Sequence, residues 1–252
     1  MGAVLVNAPS SHHLLAMKKV IISVFLAAFC LQSCVYVESD DNIPPRGTST
    51  RTYDFKNFDE LEMGDAFRIN VVSGSSFAVS ATGELNDLDD LHIFVQDGKL
   101  VARYEDYSRN RKRMDIDIVM PDIEEANFSG AVHAGIENFE NLPSLKIELS
   151  GASQCEFDGS AREMEFNLSG ASKLNLFGEA KFLDGELSGA SQLFAFGLPV
   201  EESDLDLSGA SKAEIFAAKK LVVEASGASQ VRYKGNPEIR QDLSGGSTLR
   251  PE

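Results

Sequence analysis

Leu145-Lys146-Ile147-Glu148-Leu149-Ser150-Gly151-Ala152-Ser153-Gln154-Cys155-Glu156-Phe157 is the stretch that decides the fold. Its centre, Ser150-Gly151-Ala152-Ser153, returns unchanged at Ser169–Ser172, Ser188–Ser191, Ser208–Ser211 and Ser226–Ser229. Looser copies stand on either side, Ser129-Gly130-Ala131-Val132 and Ser244-Gly245-Gly246-Ser247. The steps between first serines are 21, 19, 19, 20, 18 and 18 residues. A fixed period near 20 marks a stacked repeat with one supersecondary unit per copy.

Around each motif the chain alternates. Leu145, Ile147, Leu149, Gly151, Ser153, Cys155 and Phe157 share one parity; Lys146, Glu148, Ser150, Ala152, Gln154 and Glu156 share the other. The same holds for Met164, Phe166, Leu168, Gly170, Ser172, Leu174 and Leu176. Period-two alternation places each set on one face of a strand. A copy of about 19 residues cannot bury its own apolar face, but stacking copies about 4.8 Å apart can. The predicted fold is therefore all-β, a parallel β-solenoid or β-helix of ~19-residue repeats, right-handed as parallel crossovers are. The rival is an antiparallel β-prism or sandwich, which does not stack identical residues in register. Parity predicts that Gly151, Gly170, Gly189, Gly209 and Gly227 face inward at a narrow corner. It also predicts that Ser153, Ser172, Ser191, Ser211 and Ser229 face inward as a serine-to-serine hydrogen-bonded ladder. Gly159, Gly178 and Gly197 are expected to supply turns.

Residues 51–121 read as less regular β-structure and 122–252 as the repeat solenoid, the two forming one unit. Phe67–Val71, Phe77–Ala81, Leu91–Val95 and Met114–Met120 alternate like strands; Asp97-Gly98 is a hairpin signal and Pro121 a stop. Glu84–Leu91 alone has helical spacing. Tyr104–Arg113, with Arg109, Arg111, Lys112 and Arg113, is expected as a solvated loop. The absence of tryptophan and the 16 phenylalanines suit a thin, layered interior.

The first 33 residues read as an address. Met17-Lys18-Lys19 opens a positive segment, and Val20–Leu31 is an apolar run too short to span a bilayer comfortably. Met17 reads as the start, with His12 and His13 upstream of it. Leu31-Gln32-Ser33-Cys34 resembles a bacterial lipobox, which implies cleavage before Cys34 and lipidation of it; the alternative is an ordinary cleaved signal. Several acyl chains anchor stably where one is marginal. Residues 34–50, acidic and with Pro44-Pro45, read as a tether. The acidic stretch resembles a surface-export signal but begins four residues after Cys34, so surface and periplasmic exposure both stay open. Once Cys30 leaves with the signal and Cys34 carries lipid, Cys155 is the remaining cysteine; its alternation with apolar residues predicts a buried one.

The chain carries 39 acidic against 23 basic residues, net −16. That argues against nucleic acid, which rewards basic stripes, and gives a soluble, self-repelling surface. The pattern offers no catalytic constellation, metal-ligand spacing or cofactor loop. His92 and His133 are far apart, no Gly-x-Ser-x-Gly occurs, and a serine recurring in every repeat behaves as scaffold. Asp87, Asp89 and Asp90 cluster without the glycine turn of a calcium loop. The residue after each motif, Gln154, Lys173, Gln192, Lys212 and Gln230, faces solvent by parity. Such a row is either a hydrogen-bonding ladder for a glycan or a means of keeping like charges from stacking.

The Ser-Gly-Ala-Ser repeats, with Phe55-Lys56-Asn57-Phe58-Asp59, Gln96-Asp97-Gly98-Lys99-Leu100 and Tyr233-Lys234-Gly235-Asn236-Pro237, resemble the auto-transporter adhesin head (GIN) domain family of bacterial envelope lipoproteins. The resemblance runs from about Arg51 to the C-terminus. It implies a non-enzymatic, β-solenoid-like domain exposed at the envelope, and brings no catalytic residues. The expected role is an adhesin-like lipoprotein, anchored in the outer membrane and facing the surface or the periplasm, that meets a glycan or an envelope protein. The alternatives are a structural or regulatory envelope module and, less in keeping with the residues, a carbohydrate-active enzyme on a β-helix.

Overall fold

The computed structural model describes residues 43–105 and 110–252. The signal segment, Cys34, the first part of the tether and Arg109 lie outside them. In chain order the elements are β1 (Thr48–Tyr53), β2 (Glu60–Met63), β3 (Arg68–Ser73), β4 (Ala78–Glu84), α1 (Leu85–Asp89), β5 (Leu91–Gln96), β6 (Lys99–Tyr104), β7 (Asp115–Met120) and β8 (Glu125–Phe128). The long strands follow: β9 (His133–Leu149), β10 (Gln154–Leu168), β11 (Lys173–Leu187), β12 (Gln192–Leu207) and β13 (Lys212–Ala225). Then come β14 (Gln230–Lys234), β15 (Glu238–Leu243) and β16 (Thr248–Pro251).

The repeats form a β-solenoid of about seven turns. β9 to β13 pair in parallel and in register, each offset from the next by one repeat. Interior positions therefore stack as columns. Ala134, Cys155, Leu174, Leu193, Ala213 and Val231 make one, and Leu149, Leu168, Leu187, Leu207 and Ala225 make another on the other side of the motif turn. Fully burying each large aliphatic side chain stabilises by about 1.5–3 kcal/mol, so the stacked columns are the main source of cohesion. Cys155 is fully buried, and burial pushes its thiol well above the ordinary cysteine range, as an inert core residue.

The N-terminal strands belong to the same ladder. β3 pairs in parallel with β7 and β9, and β2 with β6 and β8. Antiparallel pairs, β1 with β4, β4 with β7 and β5 with β6, surround this end. Asp97 and Gly98 both have positive φ, as the hairpin signal requires. The helical spacing after Glu84 yields α1, capped by Glu84 accepting from the Asn86 N–H.

Four expectations are corrected. The motif glycines do not face inward. Gly151, Gly170, Gly189, Gly209 and Gly227 lie on the outside of a turn at φ between +72° and +75°. Alternation is suspended across that two-residue turn and resumes at the second serine, so parity could not be carried through it. The second serines are buried, but they form no continuous ladder. Ser153, Ser211 and Ser229 donate to the carbonyl of the first serine of their own motif, and Ser191 to Leu168 of the rung before. Among the motif serines one hydroxyl–hydroxyl contact joins rungs, Ser211 with Ser229 at 3.3 Å. In three of the five motifs the carbonyl three residues back is in reach of the short side chain and takes its hydrogen bond, while the Ser172 hydroxyl is buried without a partner among the described residues.

The third correction concerns Gly159, Gly178 and Gly197, which sit inside strands. Only Gly178 of the three has positive φ, and its ladder with Gly159 is unbroken, so the coil bends without leaving the sheet. The fourth concerns Arg111 of the basic loop, whose Lys112 and Arg113 are exposed as expected. Arg111 is largely buried, 2.7 Å from Asp90 and 3.3 Å from Asp87, with its guanidinium 4.2 Å above the Tyr104 ring. The Lys112 N–H also donates to Asp87. The acidic cluster of α1 and its C-terminal end is thus the counter-charge for this loop. It serves Arg51 and Arg46 as well, whose hydrogen bonds hold Asp89 below the ordinary aspartate range.

Candidate binding face

Each turn of the solenoid presents two outward surfaces, one from the residues after the motif and one from the residues before it. The surface after the motif carries the predicted row. Gln154, Lys173, Gln192, Lys212 and Gln230 stand in register on successive strands, continued by His133 and Arg68 on one side and Thr248 on the other. Gln154, Lys212 and Gln230 are exposed, and Lys173 and Gln192 half-buried.

What the row borders is aromatic. Alternation from Lys173 puts Phe177 outward, alternation from Gln192 puts Phe194 and Phe196 outward, and alternation from Lys212 puts Phe216 outward. Phe177 is 43% exposed, unusual for so large an apolar side chain in this molecule; the other three are half-buried. The Lys173 ammonium lies 4.9 Å from the centre of the Phe194 ring, and Lys234 lies 4.2 Å from that of Phe196. Arg232 approaches Phe196 at 5.9 Å while pairing with Glu214 at 2.9 Å and with Glu252. Lys173, Lys212 and Lys234 form no ion pair with a carboxylate among the described residues. Two rings also shield backbone. Phe177 lies across Gly197 and the Phe216 ring edges against Gly235, where a Cβ would be 2.5 Å and 3.4 Å from them.

Phenylalanine content alone assigns these rings to the interior. Their shared parity with Lys173, Gln192 and Lys212 places them outside, and that signal is present in the sequence.

The surface before the motif has the opposite character. Glu165, Asp184 and Asp204 stack in one register row, and Asn167, Glu186, Asp206 and Glu224 in the next. All of these but Glu224 line open grooves on this surface, with Glu148 and Ser169 beside them. Burial raises the Asp184 carboxyl above the ordinary aspartate range. The hydrogen bond it accepts from the Asp204 N–H opposes this at 3.0 Å, while the charges of Asp204, Glu165 and Glu163 add to it. A folded state that holds a proton more tightly than the unfolded chain loses stability as pH rises from the unfolded aspartate value through the folded one. Asp184→Asn keeps the accepted hydrogen bond and removes the charge. It is expected to raise the melting temperature at pH 7 by about 1–3 °C, with the difference vanishing on acidification. Thermal melts of both proteins across pH 4–7 check this.

Neither surface assembles a catalytic constellation from the predicted residues. His133 Nδ1 is 3.2 Å from the Ala131 carbonyl, and His92 is 3.2 Å from Glu105 on a different strand pair. Among the described residues no group of three or more His, Cys, Asp or Glu side chains could hold a metal ion. None of the described helices is long and apolar enough to cross a membrane.

Residues 57–237 match the family described as "Putative auto-transporter adhesin, head GIN domain". This chain belongs to that family. Solved structures share the architecture of its GIN domain. A "putative adhesin" from Bacteroides fragilis NCTC 9343 aligns at TM-score 0.72 and 21% identity, over 83% of this chain and 99% of its own. A "putative lipid binding protein" from Parabacteroides distasonis ATCC 8503 aligns at 0.67 and 16%, over 83% and 99%. A "putative adhesin" from Parabacteroides merdae ATCC 43184 aligns at 0.61 and 18%, over 81% and 96%. At such identities the likeness is one of fold. No curated protein matches the chain.

Proposed function

We propose that this GIN domain is a non-enzymatic, adhesin-like binding module, held at the outer membrane by lipid on Cys34 and engaging its ligand through the surface after the motif. The observation that carries the reading is the outward patch of Phe177, Phe194 and Phe196, flanked in register by Lys173, Gln192 and Lys212. Apolar rings left in water beside unneutralised ammoniums and free amides are what a ligand-contacting surface offers, whereas a merely soluble face would place charges there. The names of its structural relatives, adhesins and a lipid-binding protein, agree with binding as the task. The lipobox and the tether supply the anchor and the reach.

Adhesion of cells displaying the full chain tests the reading. Phe194→Ala/Phe196→Ala is expected to weaken adhesion about tenfold at unchanged surface level, with the melting temperature lowered by no more than about 5 °C. Adhesion that does not respond favours a structural envelope module instead. A carbohydrate-active enzyme would draw on the carboxylates Glu165, Asp184 and Asp204, which stand in one register row. That reading requires glycan cleavage that Asp184→Asn abolishes.

A further inference from the structure

Resting on the binding-module reading, we infer that the ligand of the surface after the motif is a linear acidic polysaccharide, one whose sugars carry carboxylates. It lies along the solenoid axis across the rungs that begin at Lys173, Gln192, Lys212 and Gln230.

Charge is the first ground. The chain is net −16, yet the surface after the motif is basic along these four rungs. At outward positions within 173–177, 192–196, 212–216 and 230–234 the ionised groups are Lys173, Lys212, Arg232 and Lys234 against Glu214, with Glu252 from the next rung also pairing with Arg232. The other surface, within 184–186, 202–206 and 220–224, holds Asp184, Glu186, Glu202, Asp204, Asp206 and Glu224 against Lys220. The surfaces before and after the motif therefore carry opposite charge. An acidic polymer is repelled by one side and steered to the other, an effect that extends over about a Debye length of 8–10 Å.

Availability is the second. Lys173 and Lys234 rest against phenyl rings rather than carboxylates, and Lys212 is exposed, so a ligand carboxylate meets ammoniums that need not first give up an ion pair. A cation held over a ring face keeps its position while leaving its outer N–H groups free.

Spacing is the third. Parallel in-register strands repeat about every 4.8 Å, close to the advance of one pyranose along an extended chain. Amides at Gln192 and Gln230 alternate with ammoniums at Lys173 and Lys212, giving hydroxyl partners and carboxylate partners in turn. Phe177, Phe194 and Phe196 offer ring faces for the apolar side of a sugar. A detached lipid would need an enclosed apolar slot, whereas this surface is an open sheet face.

Full-length lipidated protein reconstituted in neutral phosphatidylcholine vesicles provides the test, with polygalacturonate, its fully methyl-esterified form and monomeric galacturonate as probes. Polygalacturonate is expected to bind, more weakly as salt is added. The esterified polymer and the monomer should each bind about tenfold more weakly or worse. Lys173→Gln/Lys212→Gln/Lys234→Gln should cost about tenfold for polygalacturonate alone, with the melting temperature unchanged. Equal binding of the acidic and esterified polymers, or indifference to the lysine substitutions, overturns the acidic ligand. If no polymer binds while cell adhesion still depends on Phe194 and Phe196, the acidic polysaccharide is wrong and the binding module stands. If adhesion ignores those rings as well, both fail.

Discussion

Gly189→Ala should destabilise the protein by about 2–4 kcal/mol, and Gly189→Val by enough to prevent folding of the central rungs, while Glu186→Val stays within about 0.5 kcal/mol. Gly189 sits at φ +72°, a conformation that costs an L-residue about 1–2 kcal/mol and a β-branched one more. The second term comes from the stack. A Cβ on Gly189 would be 2.6 Å from the carbonyl oxygen of Gly170, its counterpart one rung earlier. That oxygen accepts the Ala190 N–H at 2.8 Å, so moving it aside breaks the bond that joins the two turns. The same contact recurs from Gly151 on Gly130 through Gly245 on Gly227, and relief at one rung is transmitted to the next. Alanine is the discriminating substitution. A glycine needed only to keep a narrow interior corner clear would tolerate a methyl group pointing to solvent. A glycine stacked under another turn does not. Urea midpoints at constant slope measure the difference. Wild-type stability of Gly189→Ala would sink the stacked-turn account.

Phe166→Ala should cost about 3–5 kcal/mol, whereas Phe177→Ala should cost about 1 kcal/mol or less. Phe166 is 1% exposed and lies in register between Ile147 and Gly185. Its ring occupies the space a side chain at 185 would need, since a Cβ there would lie 2.7 Å from the ring. Truncation therefore opens a cavity spanning two rungs that a glycine neighbour cannot fill. Phe177 leaves only Gly197 uncovered on a face already open to water. The pair separates the phenylalanines that hold the coil together from those that water, or a ligand, can reach. If both truncations destabilised alike, the outer rings would be scaffold and the binding face would lose its aromatic half.

The surface chemistry is only partly legible along the chain. The in-register row from Gln154 to Gln230 follows from spacing alone, because parallel stacking places residues one repeat apart side by side. The rings beside it carry the same parity signal, masked by a hydrophobicity that ordinarily marks a core residue. Asp184 and Asp204, like Glu214 and Arg232, lie one repeat apart and follow from the same spacing; which residues outside the repeats meet, as Arg46 and Arg51 do with Asp89, needs the tertiary structure. The contact of Arg111 with Asp87 and Asp90 likewise joins segments whose separate compositions look like a solvated loop and an idle acidic cluster.

From the sequence by itself came the class of fold, the period and register of its rungs, the family and the burial of the second serines, all of which follow from repetition and alternation along the strand. Tertiary structure decided the direction of the motif glycine and the partners of those serines. Alternation describes a strand and has no meaning across a two-residue turn. There the rung beneath, through one carbonyl oxygen, determines which residue the chain can place.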